Sequence, residues 1–160
     1  MDFVQSLRAK AAEKQKTIVL PEALDDRMIE AAGRIATEGF ASIILLGDAD
    51  SIGTALDKAG LSAAGLTVID PAQSSYRLDF VREYHEMRKH KGMTEEEAAT
   101  LMADPLFFGA MLVRKGVADG MVAGAVNSTG NVLRAGFQIV GMAEGTNIVS
   151  SCFVMVKPEW

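Results

Sequence analysis

Ala118-Asp-Gly-Met-Val-Ala-Gly-Ala-Val-Asn-Ser-Thr-Gly-Asn-Val-Leu-Arg134, continuing as Ala-Gly-Phe-Gln-Ile-Val-Gly141, carries in one stretch the strand, loop and helix around which the rest of the chain can be ordered. Met121–Ala123 predicts a short buried strand and Gly124–Gly130 a loop of small residues. The periodic run with Val132, Leu133, Phe137 and Val140 predicts an amphipathic helix. Asn127, Ser128, Thr129 and Gly130 therefore fall where a loop enters a helix. Hydroxyls and unpaired backbone N–H groups at the positive end of a helix dipole suit a phosphate, and Arg134 follows closely enough to approach the same pocket. A second reading fits the same residues: Asn127 or Ser128 as an N-cap, a glycine turn, and a solvated Arg134. The glycines match neither the Gly-x-Gly-x-x-Gly fingerprint nor a loop ending in Gly-Lys-Ser/Thr, so neither dinucleotide nor P-loop binding is assigned.

The units before this stretch set the architecture. Residues 2–14 keep helical spacing through Phe3, Val4, Leu7, Ala11 and Ala12. Thr17–Leu20 is an apolar strand ended by Pro21. Asp25 or Asp26 caps a helix with Met28, Ala31, Ala32 and Ile35 on one face, and Gly39 stands where a C-cap glycine belongs. Ala41–Leu46 is a second strand, residues 49–59 a helix ending at Gly60, and Leu66–Ile69 a third strand. Alternating strands and helices in short units predict an α/β fold with a mostly parallel sheet and helices on both faces, a three-layer α/β/α arrangement. Right-handed crossovers put the loops after the strands on one rim, joined there by Asn127–Gly130.

Residues 75–91 predict a helix with Leu78, Val81, Tyr84 and Met87 inward. It ends in Arg88-Lys-His-Lys91, the strongest positive run of a chain whose net charge is −5. Cations at a helix C-terminus complement its dipole; they also suit a clamp for a cofactor bearing several phosphates. Thr94-Glu-Glu-Glu97 reads as a capping box, and Asp104-Pro105 opens a helix that stops at Gly116. At 160 residues and 49% hydrophobic composition the chain can form one substantial core. The acidic balance argues against nucleic acid as a partner, and no apolar run reaches membrane-spanning length. The single Cys152 excludes an internal disulfide and is expected in the core; no zinc-like cluster or other metal site is predicted. Charges interrupt residues 1–16, so no signal segment is read and a cytoplasmic location is expected.

Val19-Leu-Pro-Glu22, Met87-Arg-Lys-His-Lys-Gly92, Ala118-Asp-Gly-Met-Val-Ala-Gly-Ala125, Ser128-Thr129, Leu133-Arg134 and Ser150-Ser-Cys-Phe-Val-Met155 together resemble the phosphate acetyl/butyryl transferases, over essentially the whole chain. The resemblance implies a fold like that of the isocitrate/isopropylmalate dehydrogenases, in a subunit about twice this length with a cleft between two domains. It implies reversible acyl transfer, acetyl-CoA plus phosphate giving acetyl phosphate plus CoA, with small molecules as the partners and CoA as substrate rather than bound cofactor. Arg88 and Arg134 match arginines associated with CoA and phosphoryl recognition; Ser128 and Thr129 match the small hydroxyl pair of the acetyl phosphate site, where the loop reading also places Asn127 and Gly130. The family's Ser-Arg-Gly segment and catalytic aspartate have no counterpart after Val156. The catalytic residues are therefore unassigned, and the chain is expected to be an amino-terminal half, inactive alone.

In that reading residues 1–145 form most of the first domain, and 146–160 begin a second with a strand over 147–156. That strand finds no partner in Lys157-Pro-Glu-Trp160, so a homo-oligomer or a swapped assembly is expected. Two alternatives stay open: an acyl-CoA-sensing module like that appended to malic enzymes, and a butyryl-specific member of the same family.

Overall fold

The computed structural model describes residues 2–157. Four parallel strands, β1 (Thr17–Leu20), β2 (Ser42–Leu46), β3 (Leu66–Ile69) and β4 (Gly120–Met121), form one sheet in the order β3-β2-β1-β4. Side chains alternate across it. Leu20, Ile43 and Leu45 point into one core with Met28, Ile29 and Ala32 of helix α2 (Asp26–Glu38) and Ile52 and Leu56 of α3 (Ala49–Lys58). Val19, Ile44 and Leu46 point to the other face. There they meet α4 (Arg77–Arg88), α5 (Glu95–Leu101), α6 (Pro105–Arg114) and α7 (Thr129–Ala135). The three-layer expectation holds.

Local chemistry sets the boundaries as the sequence predicts. Asp25 caps α2 through the Arg27 N–H, and Gly39 closes it at φ 68°. Thr94 and Glu97 form a reciprocal capping box on α5, and Asp104 caps α6 ahead of Pro105. Helix α1 (Phe3–Lys14) forms under an Asp2–Gln5 capping box but buries none of its residues. Arg8 ties it to Glu38 at 2.7 Å. Helix α6 packs directly on β1 and β4. A Cβ on Gly109 would stand 2.9 Å from Met121 Sδ and 3.1 Å from Val19 Cγ1, so glycine is what lets the backbone approach.

Four expectations are corrected. In α4 the buried side chains are Phe80 and Tyr84, whereas Leu78 is exposed. After α7 the chain widens into a π-helical turn, Gly136–Val140, closed by the Gly141 N–H on the Gly136 carbonyl. The wider spacing turns Ala135 and Ile139 inward and leaves Leu133, Phe137 and Val140 partly exposed. Residues 147–157 form no strand, and Ile148, Phe153 and Met155 are exposed. An extended apolar segment becomes a strand only beside another strand, and among the described residues no strand pairs with residues 147–156. Cys152, in the same segment, is exposed rather than in the core. The tail 158–160 lies outside the described residues.

Candidate functional site

The chain runs from β1 outward to β3 and then returns to place β4 on the other side of β1. The strand order thus reverses between β1 and β4, and the crevice beyond their carboxyl ends is where sheets of this kind ordinarily receive ligands. Two loops face each other there, Pro21–Asp25 after β1 and Val122–Asn127 after β4.

Glu22 occupies the crevice. It is 7% exposed and is the buried charged residue among the described residues. Its Oε2 accepts from the Gly124 and Ala125 N–H groups at 2.8 and 2.7 Å. Its Oε1 accepts from the Val126 and Asn127 N–H groups at 3.0 and 2.6 Å, and from Asn127 Nδ2 at 3.0 Å. Burial pushes the carboxyl upward. The amide donors of Asn127, Ala125 and Val126 outweigh it and bring the pKa from its ordinary 4.5 down to about 2. On the loop's carbonyl side, Arg27 Nη2 donates to the Ala125 oxygen at 2.7 Å while pairing with Asp25.

This corrects one expectation. The N–H groups of residues 124–127 are not open to a ligand, because a carboxylate of the chain itself already takes them. Ser128 caps α7, its Oγ accepting from the Asn131 N–H at 3.3 Å. Ser128, Thr129 and Gly130 are exposed, and the Thr129 and Gly130 N–H groups have no acceptor among the described residues. The open polar groups at this helix start are thus hydroxyls and two amides.

The arginines divide into two groups. Arg8, Arg27, Arg34, Arg82 and Arg114 are ion-paired. Arg77, Arg88 and Arg134 have no carboxylate partner among the described residues. Arg77 and Arg88 stand three turns apart on one side of α4, and the Nε of each is buried without an acceptor. Arg134 of α7 holds its guanidinium 5.1 Å from the Phe107 ring centroid. Phe107 meets Tyr84 edge-on at 6.3 Å, and the buried Tyr84 hydroxyl donates to Gln138 Oε1 at 2.6 Å. Burial pushes the Tyr84 phenol upward, opposed by the positive charges of Arg88 and Arg134. Two helices therefore bring Arg88 and Arg134 toward one aromatic pair.

A cleft of about 760 Å³ opens beside Arg88 and Lys91, walled by Met93, Thr94 and Thr100. A second, of about 460 Å³, opens over Glu22, Asp104, Val126 and Asn127. Ser128 and Thr129 line neither, so what the two helices share is the approach of Arg88 and Arg134 to one aromatic pair and not a common cavity. Lys89 is tied to Glu86 and the exposed His90 lines neither cleft. The sequence reading missed the role of Glu22; its available signal was an acid at the carboxyl end of a buried strand facing a run of small residues.

A family model described as phosphate acetyl/butaryl transferase matches residues 2–160. The phosphate acetyltransferase of Acetivibrio thermocellus is 45% identical over 159 residues, covering 99% of this chain and 47% of the relative. That of Thermoanaerobacterium thermosaccharolyticum is 42% identical over 159 residues, covering 99% and 48%. Among solved structures, the EutD phosphotransacetylase from Staphylococcus aureus superposes with a TM-score of 0.86 at 34% identity, over 97% of this chain and 48% of that one. A phosphotransacetylase from Streptococcus pyogenes gives 0.80 at 37% identity, over 85% and 41%. The chain spans about half the length of the curated relatives it matches. With its parallel sheet, its reversed strand order and a match running from residue 2 to residue 160, the chain belongs to the phosphate acetyl/butaryl transferase family.

Proposed function

We propose that this chain forms one wall of a phosphate acetyltransferase site, in which acetyl passes reversibly between CoA and phosphate. The observation that carries the reading is the pair Arg88 and Arg134, free of carboxylates and drawn from two helices toward one buried phenol. Guanidiniums left unpaired in an acidic chain are suited to phosphate oxygens, which they bind through paired N–H groups. Arg88, with the cleft beside it, takes the phosphates of CoA. The Ser128 and Thr129 hydroxyls, the Gly130 N–H and Arg134 take the phosphoryl group of acetyl phosphate, while Asn127, expected to join them, is held by Glu22.

In the forward direction phosphate attacks the thioester carbonyl and CoA leaves as thiolate; in reverse the CoA thiolate attacks acetyl phosphate and phosphate leaves. This wall orients the phosphoryl group and neutralises its charge. The carboxylate that deprotonates the thiol, and the arginine that stabilises the oxyanion, belong in this reading to sequence outside residues 1–160, so residues 1–160 alone are inactive. Residues 146–157 open a second domain. The exposed Ile148, Val149, Phe153 and Val154 pack on the remainder of such a subunit or on a second copy.

The test is calorimetric titration of CoA and of acetyl phosphate into the chain and its Arg88→Ala and Arg134→Ala variants. Losing a charge-assisted contact to phosphate is expected to cost about 2–3 kcal/mol, or about 30- to 150-fold in affinity. Arg88→Ala should weaken CoA, and Arg134→Ala both ligands. Equal affinities in wild type and variants would refute the assignment.

A further inference from the structure

The crevice at the strand reversal is filled by Glu22 in the manner of a bound anion. Four successive N–H groups, Gly124 to Asn127, converge on its two oxygens, an arrangement that ordinarily cradles phosphate or another anion. A buried carboxylate is costly unless every lone pair is answered, and here five donors answer it. The contacts join residues about a hundred positions apart, so Glu22 defines where the loop after β4 sits. Between Val122, whose N–H still follows the sheet onto the Val19 carbonyl, and Ser128, the other anchor among the described residues is Arg27 on the Ala125 oxygen. Asn127 Nδ2 is held by the same carboxylate, and Ser128 and Thr129 follow directly.

We infer that Glu22 is a positioning residue, an internal anion that holds residues 124–127 in the conformation presenting Ser128 and Thr129 to a phosphoryl group. The inference rests on the proposed function for what those residues bind, but not for the nest itself. A corollary is chemical: removing the carboxylate turns the crevice into an open anion site that a small carboxylate can refill.

The test uses the chain with Glu22→Ala and Glu22→Gln, amide hydrogen exchange read by NMR, and calorimetry with acetyl phosphate. In Glu22→Ala, amides 124–127 should exchange at least about tenfold faster while those of β1 and β2 keep their protection. Excess sodium formate, and not formamide, should restore that protection and, with it, acetyl phosphate affinity. If Glu22→Ala does not fold, Glu22→Gln, whose amide turns donors toward donors, should show the same selective loss. Unchanged exchange at 124–127, no rescue by formate, or equal loss across the sheet would each overturn the inference. A nest that opens and refills as described, in a wild-type chain that does not bind acetyl phosphate, would uphold the nest and sink the proposed function.

Discussion

Glu22→Gln should remove a pH dependence from the stability of this chain, and its size follows from the crevice. The folded state holds the carboxyl at about 2 against an ordinary 4.5. At 1.36 kcal/mol per pH unit, that difference amounts to about 3 kcal/mol in favour of folding. The sign is that of a depressed acid. The contribution is complete above pH 4.5, where both states are ionised. It drains away as the unfolded chain takes up a proton that the folded chain still refuses, and it is gone below about pH 2. By about pH 3, about 2 kcal/mol should have been lost. Asp25, Glu38, Asp48, Glu83, Glu86 and Asp119 are also held below their ordinary values, Asp25 by Arg27 and Glu83 by Lys115 foremost, but they titrate in both proteins and cancel in the difference. Urea denaturation of both proteins, followed by circular dichroism at several pH values, gives the gap directly. It should narrow from about pH 7 to about pH 3 by about 2 kcal/mol. A gap that stays constant would mean that the amide cradle does not hold the carboxylate, and the account of the crevice would fail.

Gly109→Ala should cost about 1–3 kcal/mol, since the new methyl meets Met121, Val19 and Leu46 at 2.9–3.2 Å, all within the core; unchanged urea stability would show that α6 can lift off the sheet freely. Asp119 joins the start of β1 to β4, accepting from the Thr17 N–H at 2.8 Å and from Lys16. Asp119→Ala should therefore speed exchange of the Thr17 amide while leaving Ile43 and Ile44 in β2 protected, and equal exchange at Thr17 would refute that link.

Three strands could be read from the sequence because each is a short apolar run closed by a residue with its own local chemistry; β4, expected over Met121–Ala123, instead pairs at Gly120–Met121 and leaves Val122 exposed. Thr17–Leu20 ends at Pro21, and Ser42–Leu46 ends at Gly47. The helices were legible for the same reason, since Asp25, Thr94 and Asp104 act within three residues of themselves. Misreadings occurred where a distant or missing partner decides. The buried stripe of α4 has Arg77 and Arg88 at its ends and Phe80 and Tyr84 between, so a search for apolar periodicity selects Leu78 instead. Residues 147–156 are apolar and β-branched as a strand should be, but composition cannot supply the neighbour that a strand pairs with. The Glu22 cradle spans more than a hundred residues and leaves no periodic trace.

That cradle also bears on why the helix start offers hydroxyls and two amides, with the Arg134 guanidinium following, rather than four convergent amides. An array of four convergent amides would hold a phosphate firmly in its ground state, and tight ground-state binding does nothing for turnover once the site is occupied. In the proposed reaction phosphate and acetyl phosphate must leave as readily as they arrive. With Glu22 saturating the amides, an incoming phosphoryl group meets Ser128, Thr129 and Arg134, exposed side chains whose grip water can contest. The net charge of −5 adds a constraint of its own: attraction has to be local, and it is local because Arg88 and Arg134 are spared the ion pairs that occupy Arg8, Arg27, Arg34, Arg82 and Arg114. Leaving Arg77, Arg88 and Arg134 without carboxylates among the described residues keeps local positive charge in a chain whose composition is acidic overall.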